Sequence, residues 1–140
     1  MLFETCPQVD IHEQSPLSLA FVGDGVYEVL VRQRLVERTR LLPGKLHATA
    51  VRFVSAKGQV QALTFIEPVL TEAEQNVLRR GKNASKASVA KHATPQEYRA
   101  STGFEALMGW LYLKGENQRI EELFELIWQG MTQPEAEKQA

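Results

Sequence analysis

Cysteine is almost absent: the chain holds one, Cys6, which can close no internal disulfide and has no second cysteine with which to share a zinc ion. It lies in an irregular N-terminal stretch without an adjacent base, so a catalytic thiol is not expected. Long apolar runs are missing too. No stretch free of Asp, Glu, Lys and Arg exceeds ten residues, against the roughly 20 that a membrane helix needs. Met1-Leu2-Phe3-Glu4 carries neither a basic region nor an apolar core, which speaks against a signal peptide. The three histidines, His12, His47 and His92, show no metal-ligand spacing. A net charge excess is also lacking. At −1 the molecule is not coated in basic residues, so any nucleic-acid partner must be drawn by a local patch. These absences predict a cytoplasmic protein with one domain over residues 1–140, the length of an ordinary globular unit.

What is present is helical. No clean alternating run reads as a strand, while helix-start signals recur. Ser15-Pro16 pairs a capping residue with proline at the first helical position, ahead of an apolar run from Leu17 to Val36. Pro43-Gly44 separates it from a second helix, roughly Lys45 to Ile66, closed by Pro68. Thr71 and Glu74 have capping-box spacing and open a helix to about Arg80; Thr94-Pro95-Gln96-Glu97 repeats the signature for a helix reaching Leu113. Lys114-Gly115-Glu116-Asn117 reads as a stop, Gln118 to Met131 as the last helix, and 132–140 as a loose polar tail. The expected fold class is all-α.

Two of these helices carry a carboxylate where apolar packing would be expected. Between Leu17 and Val31 the only acids or bases are Asp24 and Glu28. Asp24 stands between Gly23 and Gly25, each costing about 1 kcal/mol in a helix interior relative to alanine. Such clustered violations of local preference mark functional sites. Ala20, Asp24 and Glu28 share one stripe by their spacing. From Ala100 to Leu113 the ionisable groups are Glu105 and the Tyr112 hydroxyl, and Gly109 on the face of Glu105 reads as room beside the carboxylate. A buried acid needs a partner. A lone one is most simply an ion pair with arginine, but two facing each other offer the hard oxygen set that Mg²⁺ takes. A helix apolar on most faces also implies burial in its own domain or against a partner chain.

The local patch has a candidate. From Gln75 to Gln96 there is no acid, while Arg79, Arg80, Lys82, Lys86 and Lys91 are basic. Arg79-Arg80-Gly81-Lys82-Asn83-Ala84-Ser85-Lys86 reads as a small, polar loop whose Arg79, Arg80, Lys82, Asn83, Ser85 and Lys86 suit phosphate oxygens; a plain solvated loop is the bland alternative. Arg32, Arg34, Arg38 and Arg40 read as a solvated helix face. Trp110, Trp128, Tyr112, Phe65 and Phe104 fall at helical positions and read as core.

Leu19-Ala20-Phe21-Val22-Gly23-Asp24-Gly25-Val26 resembles the ribonuclease III signature, usually Leu-Glu-Phe-Leu-Gly-Asp-Ala-Val. Thr102-Gly103-Phe104-Glu105-Ala106-Leu107-Met108-Gly109-Trp110-Leu111-Tyr112-Leu113 resembles that family's second acidic motif. Motif separation, length and helical character agree over nearly the whole chain. The catalytic-domain-only pattern, the 79–85 segment and Val54-Ser55-Ala56-Lys57 are similar to the Mini-ribonuclease III subgroup. Two departures stand out. The family commonly has glutamate at the place of Ala20 and aspartate at that of Thr102, so this chain matches two of four acids. Glu28 and Thr102 are expected to support the site from behind.

The resemblance implies a metal-dependent endoribonuclease that cuts double-stranded RNA. Asp24 and Glu105 would be its catalytic metal ligands, with Mg²⁺ (Mn²⁺ as an alternative) as cofactor and a homodimer to cut both strands. It further implies the precursor stem of the large-subunit (23S) ribosomal RNA as substrate, with a ribosomal protein as a candidate partner. Two other readings compete. One is a non-catalytic RNA-binding or ribosome-assembly protein on the same fold, motivated by the missing acids. The other is a helical interaction module, which would leave the acid-free basic segment unexplained.

Overall fold

A computed structural model describes residues 10–86 and 93–133. Among them every regular element is helical: after a 3₁₀ turn at Ile11–Glu13 come α1 (Pro16–Arg38), α2 (Pro43–Val54), α3 (Ala56–Ile66), α4 (Glu72–Ala84), α5 (Pro95–Leu113) and α6 (Asn117–Met131). The all-α expectation holds for the described residues. Cys6, Lys91, His92 and positions 134–140 of the expected tail lie outside them. No helix is long and apolar enough to cross a membrane, among the residues described.

The cap signals act as read. Ser15 accepts from the Ser18 amide (3.1 Å) with Pro16 beginning α1. Thr71/Glu74 and Thr94/Glu97 each form both halves of a capping box. Glu74 has a second role: it is almost fully buried and receives Arg119 of α6 on both oxygens at 2.8 Å. Burial pushes its carboxyl up, but Arg119 and the Thr71 bonds outweigh that and hold it below the usual range.

α5 is the hub, packing against α1, α4, α3 and α6. Its Phe104 meets Tyr27 of α1 edge-on with ring centroids 4.7 Å apart, and Phe124 of α6 closes the trio at 6.2 Å from Tyr27. Leu107, Met108, Leu123 and Ile127 are fully buried around them. Phe53 stacks on Trp128 (5.6 Å), tying α2 to α6, and Arg34 spans Phe124 and Trp128 before pairing with Glu125 at 2.9 Å.

Two boundaries differ from expectation. The run expected as one helix to Ile66 breaks at Ser55, which is extended and ends α2 while its side chain caps α3 at the Gly58 amide (3.1 Å). The segment expected as a loop from Arg79 is helical through Ala84. Gly81 is the reason: a Cβ there would sit 2.8 Å from Gly103 Cα and 2.9 Å from Ala106 Cβ, so this glycine lets α4 approach α5 instead of breaking the helix.

Candidate active site

The site begins with a helix crossing. A Cβ on Gly23 of α1 would overlap the backbone carbonyl oxygen of Glu105, and one on Gly109 of α5 would overlap that of Leu19. The two backbones therefore touch where Gly23 and Gly109 face each other, a separation only glycine allows at both places. The room expected beside Glu105 at Gly109 is accordingly filled by α1 backbone. Gly25 has nothing within 4 Å of its would-be Cβ. The two glycines beside Asp24 thus have different causes: Gly23 makes the crossing, and packing does not require Gly25.

Next to this contact, Asp24 and Glu105 come within hydrogen-bonding reach of each other. They are not equally buried. Asp24 is exposed, contrary to the expectation of an acid inside a buried helix, because the outer side of α1 is open; Glu105 is half-buried. Burial, then Asp24 by hydrogen bond and charge, push the Glu105 carboxyl up to about 8, with only the amide of Gln59 acting against them. Gln59 is buried on α3; its Nε2 donates to Glu105 Oε2 (3.4 Å) and to the Val54 carbonyl (3.0 Å). Sequence reasoning passed over Gln59, which nothing in the chain's pattern sets apart from other polar helix residues.

The three remaining support positions resolve differently. Ala20 is buried with Leu19, Val77 and Ala106, so packing fills the place of a third acid. Thr102 is buried; its hydroxyl is 3.0 Å from the Tyr98 carbonyl and 3.2 Å from Ser85 Oγ. It thereby ties the end of α4 to α5 one turn before Glu105. Glu28 pairs its carboxylate with Arg32, one turn further along α1, at 3.0 Å. Among the described residues no group of three or more His, Cys, Asp or Glu side chains could hold a metal ion. The donor set is two carboxylates, oxygen only, which suits a hard cation that keeps most of its waters. Two acids that hold each other's charge so close are stabilised by such a cation.

The basic residues form a ridge on α4 instead of a loop. Arg79, Arg80 and Asn83 are exposed, Lys86 is exposed beyond the helix end, and spacings of three and four place Arg79, Lys82 and Asn83 along one side of α4. Lys82 lays its stem on α5 at Gly103 and carries its ammonium 3.9 Å from Glu67. α4 packs directly on α5, so the ridge and the carboxylate pair are borne by neighbouring helices.

The Ribonuclease III domain family matches residues 17–116, a span holding both carboxylates and the ridge. The chain is 49% identical over 110 residues to Mini-ribonuclease 3 of Symbiobacterium thermophilum, covering 79% of this chain and 85% of that one. It is 47% identical to the Brevibacillus brevis protein of the same name (78% and 81% covered) and 41% to that of Streptococcus pneumoniae (82% and 91%). A crystal structure of a Fusobacterium nucleatum protein superposes with a TM-score of 0.78 at 27% identity, covering 86% of this chain and 97% of that one. A family match over most of the chain, together with a string of relatives under one name, turns the motif resemblance into membership: this chain belongs to the ribonuclease III family, alongside its Mini-ribonuclease 3 members, and is an endoribonuclease.

Proposed function

We propose that the protein is a cytoplasmic, metal-dependent endonuclease that cuts double-stranded RNA as a homodimer, with the precursor stem of 23S ribosomal RNA as its substrate. The observation that carries the metal reading is the carboxylate pair itself, Asp24 and Glu105 brought together at a glycine-only helix crossing. Both would hold Mg²⁺ or Mn²⁺ through their oxygens. A divalent cation bound there supplies Lewis acidity toward the scissile phosphate and makes water acidic enough to attack at neutral pH.

The chain's own residues do the rest. Glu105 must give up its proton to serve, and Gln59 favours that ionised form. Asp24, being exposed, is the carboxylate that incoming phosphate meets first. Arg79, Arg80, Asn83 and Lys86 reach phosphate oxygens along the duplex. A-form RNA is read through its shape, phosphates and 2′-hydroxyls, which an exposed ridge of this kind can follow without base contacts. Thr102 and Ser85 fix the end of that ridge relative to the pair.

The dimer rests on the outer face of α1. Phe21 is 85% exposed there and Leu17, Val29 and Val36 are exposed with it. A groove of about 620 Å³ lined by Val22, Val26, Val29, Tyr112 and Ile120 opens on the same helix. An apolar knob and an apolar groove on one helix suit a two-fold, self-complementary contact. The non-catalytic reading has less support, since a pure RNA binder has no need to hold two carboxylates together.

The test is a long RNA duplex and a 23S precursor stem, each incubated with wild type or Asp24→Asn, with Mg²⁺ or with EDTA. The expected result is discrete cleavage of both strands by the wild type with metal, no cleavage in EDTA, and loss of at least about 100-fold in Asp24→Asn. Cleavage of the long duplex but not of the stem would retain the nuclease and remove the substrate. A ribosomal protein that restored stem cleavage would be the missing partner. Binding without cleavage of either would reinstate the assembly-protein reading.

A further inference from the structure

Gln59 is the side chain through which the carboxylate pair is joined to the rest of the fold. It is 2% exposed, and its amide bridges two acceptors, the Val54 carbonyl (3.0 Å) and Glu105 Oε2 (3.4 Å). A backbone carbonyl can only accept, so Val54 fixes which end of the amide carries the nitrogen. The other end, Oε1, is then left buried without a partner. A buried, unsatisfied oxygen costs roughly 1–3 kcal/mol, and a leucine or methionine at this core position would avoid it. A local cost kept in an otherwise well-packed interior points to a function for the group that bears it.

The backbone is arranged for the same purpose. α2 ends at Val54, and Ser55 turns the chain and caps α3. A Cβ on Gly58 would overlap the Arg52 carbonyl oxygen, so a glycine lets α3 start hard against the end of α2. That junction holds the Val54 carbonyl close to residue 59 and points the amide at α5. On the other side, Glu105 is a half-buried acid whose two identified polar neighbours are Asp24, which repels its charge, and the Gln59 amide, which welcomes it. Where four acids share such a site each can be held by the others; here Ala20 and Thr102 contribute no charge, and a neutral donor is the available means of orienting Glu105. Carboxylates that bind metal are themselves commonly hydrogen-bonded from behind.

We infer that Gln59 is a positioning residue for the metal site: its Nε2 anchors one oxygen of Glu105 to the α2–α3 junction, leaving the other oxygen and Asp24 to take the cation. The inference rests on the metal reading of the pair given above.

The experiment titrates Mn²⁺ into RNA-free protein and follows the electron-spin-resonance signal of the free ion, for wild type, Asp24→Asn, Gln59→Met, Gln59→Asn, Glu105→Gln and the Glu105→Gln/Gln59→Met double variant. Gln59→Met keeps the length and loses the donor; Gln59→Asn keeps an amide but withdraws it from Glu105, and serves should the first variant fail to fold. Each is expected to weaken Mn²⁺ binding by about 10–100-fold, with duplex affinity in EDTA unchanged. A residue acting through Glu105 adds nothing once that carboxylate is gone, so the double variant should match Glu105→Gln. Gln59 variants that bind Mn²⁺ as wild type does, while Asp24→Asn binds it weakly, overturn this inference alone. Equal binding by wild type and Asp24→Asn removes the metal reading and this inference with it. A further loss in the double variant would also overturn it, since Gln59 would then act by some route other than Glu105.

Discussion

On the proposed metal reading, a cation at the carboxylate pair competes with a proton on Glu105. Its carboxyl stands above its ordinary value of 4.5, at about 8, through burial first and Asp24 second. A carboxylate raised in the folded state leaves the native protein holding more protons than the unfolded chain across that window. Without metal, stability is therefore greatest at or below pH 4.5 as far as this group is concerned, and falls as pH rises toward 8. In EDTA the melting temperature of wild type should drop between pH 5 and pH 8, and the drop should be smaller in Glu105→Gln and in saturating Mg²⁺; equal slopes in wild type and Glu105→Gln would remove the argument. Below that pKa each cation bound displaces about one proton, so apparent Mg²⁺ affinity should climb by up to about tenfold per pH unit until Glu105 is ionised. Both acids stand out in the sequence because each interrupts an apolar stretch, Asp24 with only Glu28 as a charged companion from Leu17 to Val31 and Glu105 as the only acid or base from Ala100 to Leu113. Gln59 does not. Gln61, two residues on, is exposed while Gln59 is buried, and one amino-acid letter serves both; the difference is made by α5, 46 residues away in the chain.

Whole helices set the spacing of those side chains. Gly23→Ala or Gly109→Ala should force α1 and α5 apart, costing roughly 1–3 kcal/mol of overpacking. Activity should suffer more than stability does, because a shift of about 1 Å in catalytic geometry can cost about 10²-fold. Gly25→Ala is the control: with nothing near its would-be Cβ, it should stabilise α1 by about 0.5–1 kcal/mol through helix propensity. Thermal melts and single-turnover cleavage, measured on the same three variants, separate the two effects. The α4–α6 clamp is a second test at this scale. Arg119→Ala strands the buried Glu74, and should cost about 3–5 kcal/mol, visible as a fall in the urea midpoint. The Gly-Asp-Gly run was rightly read as unusual, but sequence could not divide its glycines between contact and open space. The same ambiguity turned Gly81 into an expected loop, although it is where α4 meets α5. Ser55 hid a helix break for a related reason: serine is tolerable inside a helix and favoured at a cap, and the tertiary fold chose the cap.

Over the whole molecule, charges are sorted although their sum is close to zero. The α4 ridge is basic, whereas Glu37, Glu121, Glu122 and Glu125 gather around the outer groove where α1 meets α6. If RNA binds at the ridge as proposed, its affinity should depend on salt in proportion to the phosphates neutralised. Arg79→Ala with Arg80→Ala should weaken duplex binding for every sequence alike and lower the slope of log affinity against log salt by about 1 per lost phosphate contact. An unchanged slope would move the RNA off α4. The remaining question at this scale is how one site per chain can cut two strands. The fold offers Phe21, 85% exposed on a helix whose other side is core, and large exposed apolar side chains clustered in this way mark contact surfaces. Placing a charge there leaves the α1–α5 crossing untouched, because that crossing is made by Gly23 and Gly109 and Phe21 takes no part in it. Phe21→Glu should therefore sediment as a monomer where wild type sediments as a dimer, with an unchanged circular-dichroism spectrum. Its residual action on a duplex should be single-strand nicks, seen as full-length material on native gels and cut strands on denaturing ones. A Phe21→Glu protein that still sediments as a dimer, or still releases blunt double-strand fragments, would place the partner's surface somewhere other than α1.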